Sequence, residues 1–171
     1  MTIAEARQLI NTAIKGSPVE HWADLGCGAG TFTYAVAELL GKGSRILAID
    51  KLTQYLAKER AQVEIIFSQS DVEHLTRDKG EFDGVIMANT LHYIKDQPTF
   101  LQKLHPWLKP HGKIVLVEYN TERSNQWVPY PITFEKAKSL LTQSGFKDVT
   151  KIGERPSLYR TDNMFACVAS V

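Results

Sequence analysis

HWADLGCGAGTFTYAVAELL, residues 21–40, runs three kinds of pattern together without a break. An apolar run carrying Trp22, Ala23 and Leu25 meets glycines at every second position, Gly26, Gly28 and Gly30. Phe32, Ala35, Val36, Leu39 and Leu40 then recur at helical spacing. Strand, glycine turn and helix in that order open an α/β domain that receives a ligand on bared backbone. Glycine suits the turn because the missing Cβ lets the main chain bend sharply and approach a ligand closely.

Upstream, Thr2-Ile3-Ala4-Glu5 reads as a capping box, and Ile3, Ala6, Leu9, Ile10, Ala13 and Ile14 share one face of a helix that Gly16 and Pro18 stop. Downstream, Arg45–Asp50 (RILAID) is a second strand ending in an acid. Residues 52–61 have helical tendency, residues 63–67 form a short third strand, and Phe82–Ala88 (FDGVIMA) is a fourth, apolar enough to be buried on both faces. Residues 98–107 read as a helix, 109–112 as a turn and 113–118 (KIVLVE) as a fifth strand. Residues 119–132 are polar and aromatic without a period, the longest loop in the chain. Thr133 caps a helix that runs to Ser144 before Gly145. Residues 146–152 and 164–171 are two last strands with no helix between them, joined by a loop containing Gly153 and Pro156, so they should pair antiparallel. Alternating strands and helices imply a parallel sheet covered on both faces, with ligands beyond the carboxyl ends of its strands.

The 171 residues suffice for one domain with a full central sheet, and 43% hydrophobic with 23% charged residues is ordinary for a globular protein. Residues 1–99 carry 10 Lys/Arg against 13 Asp/Glu and residues 100–171 carry 10 against 6, an imbalance too mild for the basic stripe of a nucleic-acid partner. No apolar run has membrane-spanning length, and the N-terminus carries Glu5 and no signal-type apolar core. Cys27 and Cys167 are isolated, without metal-type spacing, and read as buried small residues in a reducing cytoplasm.

The residues after the strands carry a resemblance. Asp24-Leu25-Gly26-Cys27-Gly28-Ala29-Gly30, the acid Asp50 ending the second strand and Asp71-Val72 after the third resemble the class I S-adenosylmethionine-dependent methyltransferases of type 11 or 12. The runs FDGVIMANTLHYIKD and LKPHGKIVLVE resemble that family as well. The resemblance implies a three-layer Rossmann-like sandwich over residues 1–171, with a seven-stranded, mostly parallel sheet and an antiparallel terminal strand. It implies S-adenosylmethionine as cofactor, held by Asp24, Gly26, Cys27, Gly28, Gly30, Asp50, Lys51, Leu52, Asp71, Val72 and Asn89. Asp24 would take the ammonium of the methionine moiety, directly or through water. Asp50, 20 residues past Gly30, would accept the ribose hydroxyls, Asp71 the adenine amine, and Val72 the ring edge. Asn89 would line the methionine side. Lys51 stands where the family often has an apolar or aromatic residue, so its stem or Leu52 must cover the adenine. Thr31 occupies a position that the dinucleotide pattern G-x-G-x-x-G reserves for glycine or alanine, which disfavours a nicotinamide cofactor.

Displacement at a sulfonium methyl is in line, so alignment and exclusion of water supply much of the acceleration, and a base is needed only for an acceptor that must lose a proton. His92, Glu118 and Tyr119, leaving the fourth and fifth strands, are the catalytic candidates; His92 serves as base or starts a helix on a backbone hydrogen bond. Residues 119–134, with Arg123, Trp127 and Tyr130, are the expected substrate loop, and residues 1–18 the expected lid. Asn89 is followed by Thr-Leu-His rather than the Pro-Pro-aromatic of nucleobase-amine methyltransferases, which leaves a small-molecule acceptor as the expectation. A SAM-binding partner or regulatory module without catalysis would use the same motif set.

Overall fold

The computed structural model describes all residues except Ser17, Lys79 and 157–162. Helix α1 (Ile3–Ile10) starts on the expected capping box, with the Glu5 amide donating to Thr2 Oγ1 and the Thr2 amide to Glu5 Oε2. Strand β1 (His21–Leu25) leads through the glycine turn into α2 (Thr31–Ala37), and β2 (Arg45–Asp50) follows. A two-residue strand β3 (Glu59–Arg60) precedes β4 (Val63–Gln69) and β5 (Phe82–Ala88). Helix α3 (Gln97–Leu104) begins on an Asp96 cap, β6 (Leu108–Tyr119) crosses the whole sheet, and α4 (Phe134–Gln143) begins on Thr133. Strands β7 (Lys147–Pro156) and β8 (Asn163–Ser170) close the sheet. The loop expected between them falls partly on 157–162, outside the described residues.

The strands lie in the order β3-β4-β2-β1-β5-β6-β8-β7. Neighbours from β4 to β6 are parallel, and β8 runs antiparallel between β6 and β7, as the sequence led one to expect. Alternation along each buried strand splits the core in two. Leu25, Ile49, Met87 and Leu116 face α3 and α4 through Phe100, Leu101, Leu104 and Leu141. Trp22, Ile46, Ile86 and Val115 face α1 and α2 through Ala6, Ile10, Phe32 and Val36. Trp22 lies directly across from Gly84, and any Cβ there would sit 2.3 Å from the indole; glycine makes room for the largest fully buried side chain.

Four expectations need correction. The sheet has eight strands rather than seven, and residues 52–61 form no helix. The backbone there is committed to partners outside the segment: the Leu52 amide to Asp50 Oδ1, the Lys51 carbonyl to Gln69 Nε2, the Ala57 amide to the Tyr34 hydroxyl, and the Lys58 carbonyl to the Ile65 amide. A helix needs those same groups for its own ladder, so tertiary bonding overrides helical propensity. Helix α1 ends at Ile10, with Ala13 and Ile14 buried in the turns beyond it. Residues 109–112 belong to β6, although the pairing with β5 is interrupted between Leu108 and Lys113 where His111 takes φ 65°.

β3 and β4 form a hairpin whose two central residues, Ala61 and Gln62, both have positive φ (53° and 62°). That turn favours Asn-Gly, and side chains such as these carry roughly 1 kcal/mol or more of backbone strain. Replacing the pair by Ala61→Asn and Gln62→Gly should raise the unfolding free energy by about 1 kcal/mol, read as a higher urea midpoint at unchanged slope.

Candidate functional site

The glycine turn is fastened to the neighbouring strand. The Gly26 and Cys27 amides both donate to the Ile49 carbonyl, at 2.8 and 2.9 Å, and the Gly28 amide donates to Asp50 Oδ2 at 2.8 Å. Gly26 has φ 79°, and a Cβ on it would lie 2.3 Å from the Thr90 hydroxyl, so only glycine lets the turn pass β5's end. Nothing lies within 4 Å of the place a Gly28 Cβ would occupy, leaving that backbone open to an incoming group.

Two cavities meet here, at the carboxyl ends of the strands. The larger, about 420 Å³, is bounded by Gly26, Asp50, Lys51, Leu52, Asp71, Val72 and Asn89, seven of the eleven residues expected to hold a cofactor. Thr90, Tyr93, Ile94 and Glu73 complete it. A second cavity of about 240 Å³ shares Asn89 and is otherwise bounded by Met1, Thr31, Phe32, Tyr119, Arg155, Pro156 and Met164. Asn89 takes φ 54°, and its buried Oδ1 has no hydrogen-bond partner among the described residues.

Asp50 accepts one backbone N–H on each oxygen, from Gly28 and Leu52, and an ionised carboxylate retains two further lone-pair sites. Asp71 caps a 3-10 turn (Val72–His74) through the Glu73 amide and stays half exposed at the cavity. Cys27, Gly28 and Gly30 shape the turn without lining either cavity; the Cys27 thiol is buried on the α2 side, and burial pushes its pKa up. Asp24 is also buried, at 1% exposure. Its Oδ2 accepts from the Thr33 hydroxyl at 2.6 Å, while Oδ1 has no described partner. Burial first, and the Asp50 charge second, lift its pKa to about 7.

His92 and Glu118 are 2% and 1% exposed and line neither cavity. They form a buried pair: Nδ1 lies 2.6 Å from Glu118 Oε2, and the His92 amide donates to Oε1 at 3.3 Å. Glu118, one of the expected catalytic candidates, thus pairs with a histidine away from both cavities. The imidazole stacks against Tyr93 at 4.4 Å and lies 6.2 Å from the Tyr119 ring. One tyrosine borders each cavity, so the pair sits behind the wall between them. Of the expected substrate loop only Tyr119 reaches either cavity. Arg123 and Trp127 are exposed, and Tyr130 is bonded back onto the domain, its amide to the His92 carbonyl and its carbonyl to Gln97 Nε2.

Residues 23–112, more than half of the chain, match the family model described as a methyltransferase domain. The chain belongs to the methyltransferase domain family. It is 32% identical over 110 residues to the 2-phytyl-1,4-naphtoquinone methyltransferase of Nostoc punctiforme, a match covering 60% of this chain and 48% of that one. It is 31% identical over 101 residues to the demethylmenaquinone methyltransferase of Lactococcus lactis, covering 56% and 40%. This methyltransferase domain therefore spans about half the length of the curated relatives it matches. The fold is that of the Burkholderia thailandensis 1,6-didemethyltoxoflavin-N1-methyltransferase solved with S-adenosylhomocysteine, at a TM-score of 0.72 and 20% identity over 98% of this chain and 77% of that one.

Arg155, Phe32, Met164 and Thr90 were not found from sequence. Arg155 and Met164 reach the site through the register of β7 on β8, which leaves no local motif. Thr90 had one available signal, its place beside Asn89 at the end of a buried strand.

Two outcomes follow from the buried acids. A folded pKa near 7 above an ordinary 3.8 means that the native state holds a proton the unfolded chain has released, so stability falls as pH rises from about 4 to about 7. Asp24→Asn should therefore stabilise the ligand-free protein increasingly over that window and level off above it, at no more than about 4 kcal/mol, in thermal melts taken across pH. Glu118→Leu strands a buried imidazole and should cost about 3–5 kcal/mol in denaturant titration, much of it recovered by adding His92→Leu.

Proposed function

We propose that this domain is an S-adenosylmethionine-dependent methyltransferase acting on a small molecule, with the larger cavity holding the cofactor and the smaller one the methyl acceptor. The observation that carries the reading is the junction at Asn89: a cavity walled by Asp50, Asp71 and the glycine turn opens onto a second, largely apolar one. A donor and an acceptor must meet end to end for in-line transfer, and two cavities joined at one residue supply that arrangement.

S-adenosylmethionine, when bound, supplies an activated methyl on a sulfonium. The chain's own residues do the rest. Asp50, held by the Gly28 and Leu52 amides, accepts from the ribose hydroxyls on its remaining lone pairs. Asp71 accepts from the adenine amine, Val72 and Leu52 flank the ring, and Asn89 Oδ1 takes a donor from the methionine end. Among the described residues three acids, Asp50, Asp71 and Glu73, border this cavity against the single cation Lys51, a balance that suits a cationic ligand. Asp24 presents no surface to the cavity, so it acts on the ammonium through water, and a cation nearby would draw its raised pKa back down.

Tyr119 is the catalytic candidate that borders the acceptor cavity. His92 and Glu118 are positioning residues that hold the tyrosine-faced wall, rather than a base in contact with the acceptor. Of residues 1–18, expected as a lid, α1 is fastened down by Ala6, Leu9 and Ile10, and Met1 alone among the described ones borders the acceptor cavity. No helix among the described residues is long and apolar enough to cross a membrane. Two free, buried cysteines support a cytoplasmic setting. That the relatives are a 2-phytyl-1,4-naphtoquinone methyltransferase and a demethylmenaquinone methyltransferase supports a small-molecule acceptor over a purely regulatory SAM-binding role.

Asp50→Ala should weaken S-adenosylhomocysteine binding at least about tenfold, the effect of removing hydrogen bonds to a charged group, in calorimetry on a variant whose melting is checked in parallel. Unchanged affinity would overturn the ribose assignment.

A further inference from the structure

Two side chains on the lining of the acceptor cavity carry a buried polar atom that no described residue satisfies, Asn89 at its junction with the larger cavity and Arg155. Arg155 reaches the cavity from the end of β7, with its side chain only 18% exposed. Nη2 donates to Glu5 Oε1 at 3.0 Å, whereas Nη1 is buried and has no hydrogen-bond partner among the described residues. Phe32 and Pro156 border the same space and offer no side-chain acceptor and Met164 only a weak thioether, while Thr31, Asn89 and Tyr119 supply its polar groups. A buried guanidinium nitrogen without an acceptor bears a full desolvation penalty, and a charged acceptor relieves it about twice as well as a neutral carbonyl. The pair with Glu5 stays ionised across the physiological range, since the Arg155 hydrogen bond, with the Thr2 amide second, holds the Glu5 carboxyl down at about 2.

We propose that Arg155 is a specificity residue of the acceptor cavity and that the methyl acceptor is a compact carboxylate, its acid group on Nη1 and its reacting atom toward Asn89. This rests on the assignment of the two cavities to cofactor and acceptor. The walls favour an apolar or aromatic body, because Phe32, Met164 and Pro156 flank the path from Arg155 to Asn89. A carboxylate suits the site better than a phosphate. A single guanidinium already paired with Glu5 offsets the one charge of a carboxylate more readily than the charge of up to about two that a phosphate carries. At about 240 Å³ the space lies below the roughly 300–1,000 Å³ of drug-sized ligand sites, which keeps the acceptor small. The Glu5 bond has a part in this: it occupies Nη2 on the α1 side and leaves Nη1 as the terminal nitrogen without a described partner.

The test uses the full chain saturated with S-adenosylhomocysteine and a set of small aromatic and aliphatic carboxylates, each paired with the amide of the same body. Binding is read by thermal shift and calorimetry. The proposal expects the binders to be carboxylates, each at least about tenfold tighter than its amide, with that preference lost in Arg155→Met while S-adenosylhomocysteine affinity is unchanged. Glu5→Gln removes the same ion pair yet keeps the capping box and the guanidinium, so it should retain carboxylate binding. Amides binding as well as acids, no acid binding at all, or Glu5→Gln losing the preference as fully as Arg155→Met would each overturn it. Failure of S-adenosylhomocysteine itself to bind would instead overturn the cofactor assignment beneath it.

Discussion

The carbonyl of Ile49 and the carboxylate of Asp50 hold the whole site in register. Three consecutive donors of the glycine turn, from Gly26, Cys27 and Gly28, are satisfied by these two residues of the adjacent strand rather than within the turn. The loop leaving β1 is thereby locked to the end of β2, and its backbone is presented at a fixed height above the sheet. Thr90, at the end of β5, closes the other side of Gly26. Ends of three neighbouring strands are thus fixed against one another before any ligand arrives. Preorganisation of this kind matters where alignment of donor and acceptor is most of the chemistry.

The two halves of the site differ in how they are built. The larger cavity draws its residues from the ends of β1, β2, β4 and β5 and the loops that follow them. The smaller cavity depends on the antiparallel pair at the opposite flank, with Arg155 and Met164 facing one another in register across β7 and β8. Variation in that pair can reshape the smaller cavity while leaving the larger one untouched, which fits a fold that carries different functions on grafted sites.

That division also explains how much could be read from the chain alone. Arg45–Asp50 and Phe82–Ala88 are strands with the expected bounds because burial on both faces writes continuous apolar runs. Asp24, Asp50 and Asp71 stand at strand ends where local pattern and spacing speak for themselves. Residues 52–61 look helical locally, yet Tyr34, Gln69 and Ile65 claim their backbone groups, and no local pattern records a bond made from another element. Arg155 escaped notice for the same reason: its meaning lies in Glu5 and Asn89, both far away in sequence. His92 was conspicuous as a histidine at a strand end, but its partner Glu118 is 26 positions distant and turns a candidate base into part of a buried wall.

The extended course of residues 52–61 has a further effect at the rim of the sheet. Without a covering helix, Leu52, Tyr55 and Ile66 remain exposed beside β4, whose outer edge would otherwise offer free backbone groups next to an apolar surface. β3 occupies that edge with only Glu59 and Arg60, and Arg60 is held by Glu38 of the neighbouring helix cap. A short, charged, tethered strand is a poor template for a second chain. The small hairpin therefore covers the start of that edge with two charged residues, which disfavours strand pairing with a second chain there.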